Sequence, residues 1–136
     1  LVHGNYYGTS KQTVCHQLQA GQDTLLEIDW QGARQIRALF PETISIFILP
    51  PSIAALEERL NKRGQDSPEI IQQRLKAADN EIRHASESDY VIINRDFDRA
   101  LTQLASIVDA ARCRTARQGI RNRDLFAQFG ISKPAA

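Results

Sequence analysis

The sequence predicts an α/β fold in which a parallel sheet is flanked by helices, and three observations lead there. Short apolar runs at Thr24 to Trp30, Ser45 to Leu49 and Asp89 to Asn94 are separated by stretches of helical pattern. Hydrophobicity within each run is nearly continuous rather than alternating, as expected of strands covered on both faces. The chain has 136 residues, 42% of them hydrophobic and 24% charged, which suits one globular domain able to bury a core.

The connectors follow in order. Ser10 is placed to cap a helix that carries Val14 and Leu18 on one face and stops at Gly21. Gly32 to Leu39 forms a short crossover helix before Pro41. Ser52 opens a helix with Ile53, Leu56 and Leu60 inward, and Gly64 ends it. Asp66 or Ser67, followed by Pro68 and with Glu69 as a capping-box partner, starts the next helix, striped with Ile71, Leu75, Ala78 and Ile82. The last long helix is expected from about Asp96 to Arg117, with Ala100, Leu101, Leu104, Ile107 and Val108 facing the sheet. After Gln118 the pattern fades into a tail with a short turn at Leu125 to Phe129.

Composition excludes several function classes. A formal charge of +1 gives no reason to expect general adhesion to nucleic acid or membrane, and no apolar run reaches the length of a membrane span. Five arginines between Arg112 and Arg123 lie on more than one side of a helix without interleaved aromatics, the pattern of a solvated helix end. Cys15 and Cys113 lie outside any metal or Cys-x-x-Cys spacing and read as free thiols in a reducing cytoplasm. His3, His16 and His84 show no metal or triad spacing, and Trp30 reads as a packing residue. No metal ligands are assigned.

Four groups of residues have chemistry to offer. Tyr7 and Thr9 place hydroxyls on either side of Gly8, suited to a phosphate oxygen and a purine edge; the alternative is a turn in which Gly8 supplies an unusual backbone conformation. Glu27 and Asp29 alternate in an apolar run, so both would point to one side near the end of a strand, where open α/β sheets bind ligands. They could accept from guanine N1–H and its amine or hold water around Mg²⁺; equally, one could cap the Gly32 helix and the other pair with Arg34 or Arg37. Arg59, Arg63 and Arg74 flank the turn at residues 64–67, as a lid closing on polyphosphate would require, or else form a solvated face paired with Glu57, Glu58 and Glu69. Asn94 ends the third run, where its amide could read an adenine edge or cap the next helix, a task open also to Asp96.

The order of these segments carries more than any one of them. Gly4-Asn-Tyr-Tyr-Gly-Thr9, Leu25-Leu-Glu-Ile-Asp-Trp-Gln-Gly-Ala33, Ile46-Phe-Ile-Leu-Pro-Pro-Ser52, Arg59-Leu-Asn-Lys-Arg-Gly64, Arg74-Leu75 and Tyr90-Val-Ile-Ile-Asn-Arg-Asp96 resemble the guanylate kinase family over about Val2 to Arg117. The resemblance implies a P-loop NTPase-type fold of the nucleoside monophosphate kinase kind, incomplete at the N-terminus. It also implies transfer of the γ-phosphoryl of ATP to GMP with Mg²⁺ accompanying ATP. Tyr7 would then hold the GMP phosphate beside Gly8, and Thr9 and Asp29 would read guanine. Glu27 would lie near Mg²⁺ and the phosphates, Arg59, Arg63 and Arg74 would clamp the transferring group, and Asn94 would touch the ATP base.

One expected part is missing from these residues: none of the seven glycines is followed by Lys, as the phosphate-cradling loop requires. The first residue is Leu1, so the chain is expected to be the C-terminal part of a longer polypeptide. Residues 1–117 would be that part of the kinase domain, with remnants of the GMP region in 1–30 and the lid at about 59–74, and 118–136 the tail. Alone, it would be inactive, with a strand edge that invites dimerisation or aggregation. The alternative is a non-catalytic guanylate-kinase-like module that binds proteins.

Overall fold

The computed structural model describes residues 8–64 and 66–132. Seven α-helices and two strands are found among them: α1 (Lys11–Gln19), α2 (Trp30–Leu39), β1 (Ile46–Leu49), α3 (Ile53–Lys62), α4 (Pro68–Arg83), β2 (Tyr90–Ile93), α5 (Phe97–Arg112), α6 (Thr115–Arg121) and α7 (Arg123–Gln128). A 3₁₀ turn, Ala85–Glu87, follows α4. The strands form one two-stranded sheet. Ser45 C=O accepts from the N–H groups of Asp89 and Tyr90 at the start, and Leu49 C=O from Asn94 N–H at the end, so the strands run parallel.

The chain divides into two compact units. The first comprises residues 1–47 and 52–91, the second 48–51 and 92–136.

In the first unit, short polar side chains fix the helix starts. The hydroxyls of Ser10, Ser52 and Ser67 accept from the N–H groups of Thr13, Ala55 and Ile70, satisfying donors that a helix leaves open. Pro68, whose fixed φ suits a first turn, begins α4. α1 ends in a Schellman motif: Gly21 takes φ 77°, its N–H reaches Leu18 C=O, and Gln22 N–H reaches Gln17 C=O. α3 packs against α4. The stripe of Ile71, Leu75, Ala78 and Ile82 is half-buried as expected, while Ile53 is 74% exposed rather than inward.

The expected strand at Thr24 to Trp30 is not formed. Residues 22–29 are irregular and Trp30 already belongs to α2. A strand exists only where a neighbour takes up its backbone groups, and no described residue pairs with this stretch. Leu25 is therefore 76% exposed.

In the second unit, Asp96 caps α5 by accepting from Arg99 N–H at 3.1 Å. The single long helix expected to Arg117 breaks instead at Cys113 and Arg114, where Arg114 adopts φ −57° and ψ 139°. Leu101, expected to face the sheet, is 51% exposed. Beyond Gln118 the chain remains helical: the Phe126 ring lies 3.2 Å from where a Cβ on Gly119 would stand, so α6 and α7 meet closely. α7 ends as α1 does, with Gly130 at φ 65° and Ile131 N–H on Phe126 C=O. Side chains buried outright are few among the described residues: Val14 in the first unit and Ile92 in the second form the buried apolar set.

Candidate active site

Tyr7 lies outside the described residues. Gly8 and Thr9 are exposed and lead directly into the Ser10 cap of α1. Glu27 is exposed within the irregular segment, and without a ladder nothing fixes it on a common strand face with Asp29.

Asp29 has a defined local task. Its Oδ1 accepts from Gly32 N–H at 2.8 Å, making it the N-cap of α2, which is one of the roles open to it from sequence. Gly32 permits the close approach, because a Cβ there would stand 3.2 Å from Asp29 Oδ1 and 3.3 Å from Ile28 Cβ.

The residue after the cap is gripped from several directions. Trp30 N–H donates to Glu81 Oε2 at 3.3 Å, and the His84 imidazole stacks on the indole with centroids 3.8 Å apart. The Arg34 guanidinium stands over the same ring, 4.7 Å from its centroid, within cation–π range. Trp30 is thus a packing residue, as its sequence context suggests, and it packs by stacking against two side chains.

Glu87 gathers this group together. Its carboxylate accepts Arg34 Nε at 2.8 Å and a second Arg34 nitrogen, His84 Nδ1 at 2.8 Å, and Arg37 at 3.5 Å. Arg37 also donates to the Glu87 carbonyl and to Ser45 Oγ at 3.2 Å. Hydrogen bonding from Arg34, then from His84, holds the Glu87 carboxyl down to about 2, and the same fork raises the Arg34 pKa. The partner of Arg34 and Arg37 is therefore Glu87, rather than Glu27 or Asp29. These side chains, about fifty residues apart, share no local sequence signal; only the three-residue spacing of His84 and Glu87 hinted at a pair.

Two of the three candidate lid arginines sit at the end of α3, and the third lies within α4. Arg59 belongs to the last turn of α3, and Arg63 is its C-cap in helical geometry, so the four-residue spacing keeps both on one face. Arg74, on α4, pairs at 2.9 Å with Asp66 in the intervening turn. Glu58 pairs with Lys62 at 2.8 Å, and its carboxyl is lowered first by that hydrogen bond, with Arg59 a smaller cause. A Cβ on Gly64 would stand 2.1 Å from Asn61 C=O, so the turn needs glycine.

Asn94, in the second unit, follows β2; its N–H completes the ladder to Leu49 at 2.8 Å, while the cap of α5 comes from Asp96. Among the described residues, no group of three or more His, Cys, Asp or Glu side chains forms a metal site, and no helix is long and apolar enough to cross a membrane.

Known proteins give this arrangement a context. The family model described as guanylate kinase matches residues 2–111. A guanylate kinase of Paraburkholderia xenovorans (strain LB400) is 56% identical over 135 residues, covering 99% of this chain and 60% of that protein. One from Bordetella pertussis is also 56% identical over 135 residues, with 99% of this chain and 62% of the relative covered. The crystal structure of guanylate kinase from Anaplasma phagocytophilum superposes with a TM-score of 0.76 at 33% identity, over 98% of this chain and 64% of that one. This chain thus spans about three fifths of the length of the relatives it matches. A match that runs through the Asp29 cap, the arginine-bearing helices and the β2 end assigns the chain to the guanylate kinase family.

Proposed function

We propose that this chain supplies the GMP-binding and lid parts of an ATP:GMP phosphotransferase acting in the cytoplasm. The observation that carries this reading is the lid arrangement, in a chain of this family: Arg59 and Arg63 end α3, and Arg74 rides the helix packed against it, on the other side of a glycine-dependent turn. Guanidinium groups so placed can fold over a phosphoryl group and offset charge as it shifts.

In the reaction, a phosphate oxygen of GMP forms a bond to the γ-phosphorus of ATP while the bond from that phosphorus to the β-γ bridging oxygen breaks, leaving ADP and GDP. No covalent enzyme intermediate is needed, because positioning and electrostatics supply the catalysis. Tyr7 and Gly8 take the GMP phosphate side, Thr9 and Asp29 read guanine, and Asn94 meets the adenine. With Oδ1 on the Gly32 amide, Asp29 has Oδ2 to accept from the base. Mg²⁺ arrives as part of the ATP substrate. Glu27, a single exposed carboxylate, does not make a metal site by itself.

The 136 residues contain no Gly-Lys phosphate cradle, so turnover is assigned to a polypeptide that joins this sequence to one. Coupled measurement of ADP release from that polypeptide tests the reading: GMP is phosphorylated and AMP is a poor acceptor. Absence of turnover with GMP rejects it. Arg63→Ala lowers kcat with little change in folding; an unchanged kcat removes Arg63 from the lid.

A further inference from the structure

Asp29 sits at the end of a stretch with no secondary structure, yet its place is defined because Trp30 is held. Residues 22–29 lack a ladder, and a cap hydrogen bond alone leaves a helix start free to fray. The grip on Trp30 comes from residues at the end of α4 and in the 3₁₀ turn: Glu81 on its N–H and His84 on its ring. Arg34, one turn further along α2, covers the ring and is forked by Glu87, which also holds His84. Both stacking partners of the indole are thereby anchored to one carboxylate.

We infer that Glu87 is a positioning residue for Asp29: acting through Arg34, His84 and the Trp30 indole, it aims the Asp29 carboxylate and so governs how tightly a guanine nucleotide is held. This inference rests on the proposed role of Asp29 toward guanine. A carboxylate that accepts from two donors on a planar base discriminates only if its direction is fixed, since hydrogen bonds weaken steeply off line. The irregular segment has no ladder to reinforce that direction, whereas an aromatic stack and a charge-assisted fork do.

The test uses this chain with Glu87→Gln, and with Arg34→Lys, which keeps the charge but loses the fork. Arg34 is 53% exposed against 28% for Glu87, so the second variant disturbs packing less than the first. Amide hydrogen exchange of Gly32 reads the Asp29 cap, and the capped amides of Thr13, Ala55 and Arg99 serve as internal controls. Exchange at Gly32 is expected to rise about tenfold or more while the controls stay put, a selectivity that general destabilisation does not produce. GMP titration, read by Trp30 emission, is expected to weaken several-fold in both variants.

Asp29→Asn completes the cycle, because Asn caps a helix as well as Asp but lacks the charge. Added to Asp29→Asn, the Glu87→Gln or Arg34→Lys change should have no further effect on GMP affinity. Full additivity, or a Gly32 amide unmoved in folded variants, overturns the positioning role. Wild-type GMP affinity in Asp29→Asn, with Gly32 still responding to Arg34→Lys, overturns instead the guanine role of Asp29 and with it the claim on nucleotide binding.

Discussion

The imidazole of His84 lies flat on the indole of Trp30, with centroids 3.8 Å apart and planes 10° from parallel. Trp30 is the only tryptophan, so its fluorescence reports this contact without interference. His84→Ala should shift the emission to longer wavelength and increase quenching by acrylamide. Unchanged emission and quenching would mean the rings are not stacked in solution.

Glu87 makes the same cluster sensitive to acid. Its carboxyl is held down to about 2 by Arg34 first and His84 second, against an ordinary value of 4.5. A lowered carboxylate stabilises the fold fully above its ordinary value, and that contribution fades as pH falls toward about 2. The difference in urea midpoint between the wild-type chain and Glu87→Gln should therefore shrink as pH falls below about 5 and vanish near the folded-state value. A difference that persists undiminished at the acid end contradicts the pairing.

Gly32 tests the cap by crowding. Alanine would gain about 1 kcal/mol of helix propensity, but its Cβ would press on Asp29 Oδ1 at 3.2 Å. Gly32→Ala should leave Tm within a few degrees of wild type while weakening GMP binding, checked by thermal melts beside a GMP titration. Unaltered GMP affinity would show that the cap geometry does not matter to the nucleotide.

At Gly64 the crowding is with backbone, 2.1 Å from Asn61 C=O, and a backbone carbonyl cannot swing aside as a side chain does. Gly64→Ala should destabilise the chain by about 1–3 kcal/mol in urea unfolding. A loss near zero would mean that the end of α3 rearranges freely.

Apolar exposure predicts association. Leu25, Ile53 and Phe129 are each 74% exposed or more, whereas Val14 and Ile92 are the apolar side chains buried outright among the described residues. Exposed apolar surface on this scale favours contact with another surface. Light scattering coupled to gel filtration should show species larger than a monomer, and strong dye binding. A monodisperse monomer that melts cooperatively would refute this.

Local chemistry made much of the fold legible. Ser10, Ser52 and Ser67 cap helices where their spacing placed them, Gly21 closes α1, and the runs at 46–49 and 90–93 pair as parallel strands. Each depends on residues within a few positions, or on hydrophobicity continuous enough to survive any packing. α6 and α7 continue the helical structure past Gln118, where the apolar pattern fades, with Gly130 closing α7 much as Gly21 closes α1.

What tertiary structure alone decided was partnership. The run at 24–30 has the composition of a strand, but pairing is a property of neighbours, and it stayed irregular up to Asp29. Arg34 and Arg37 chose Glu87 over nearer carboxylates, and Trp30 took His84 as its ring partner. Caps and helix stripes follow from the chain's own short-range geometry. Ion pairs and stacks between distant segments form only when folding brings them within a few ångströms, a distance that composition and spacing do not encode.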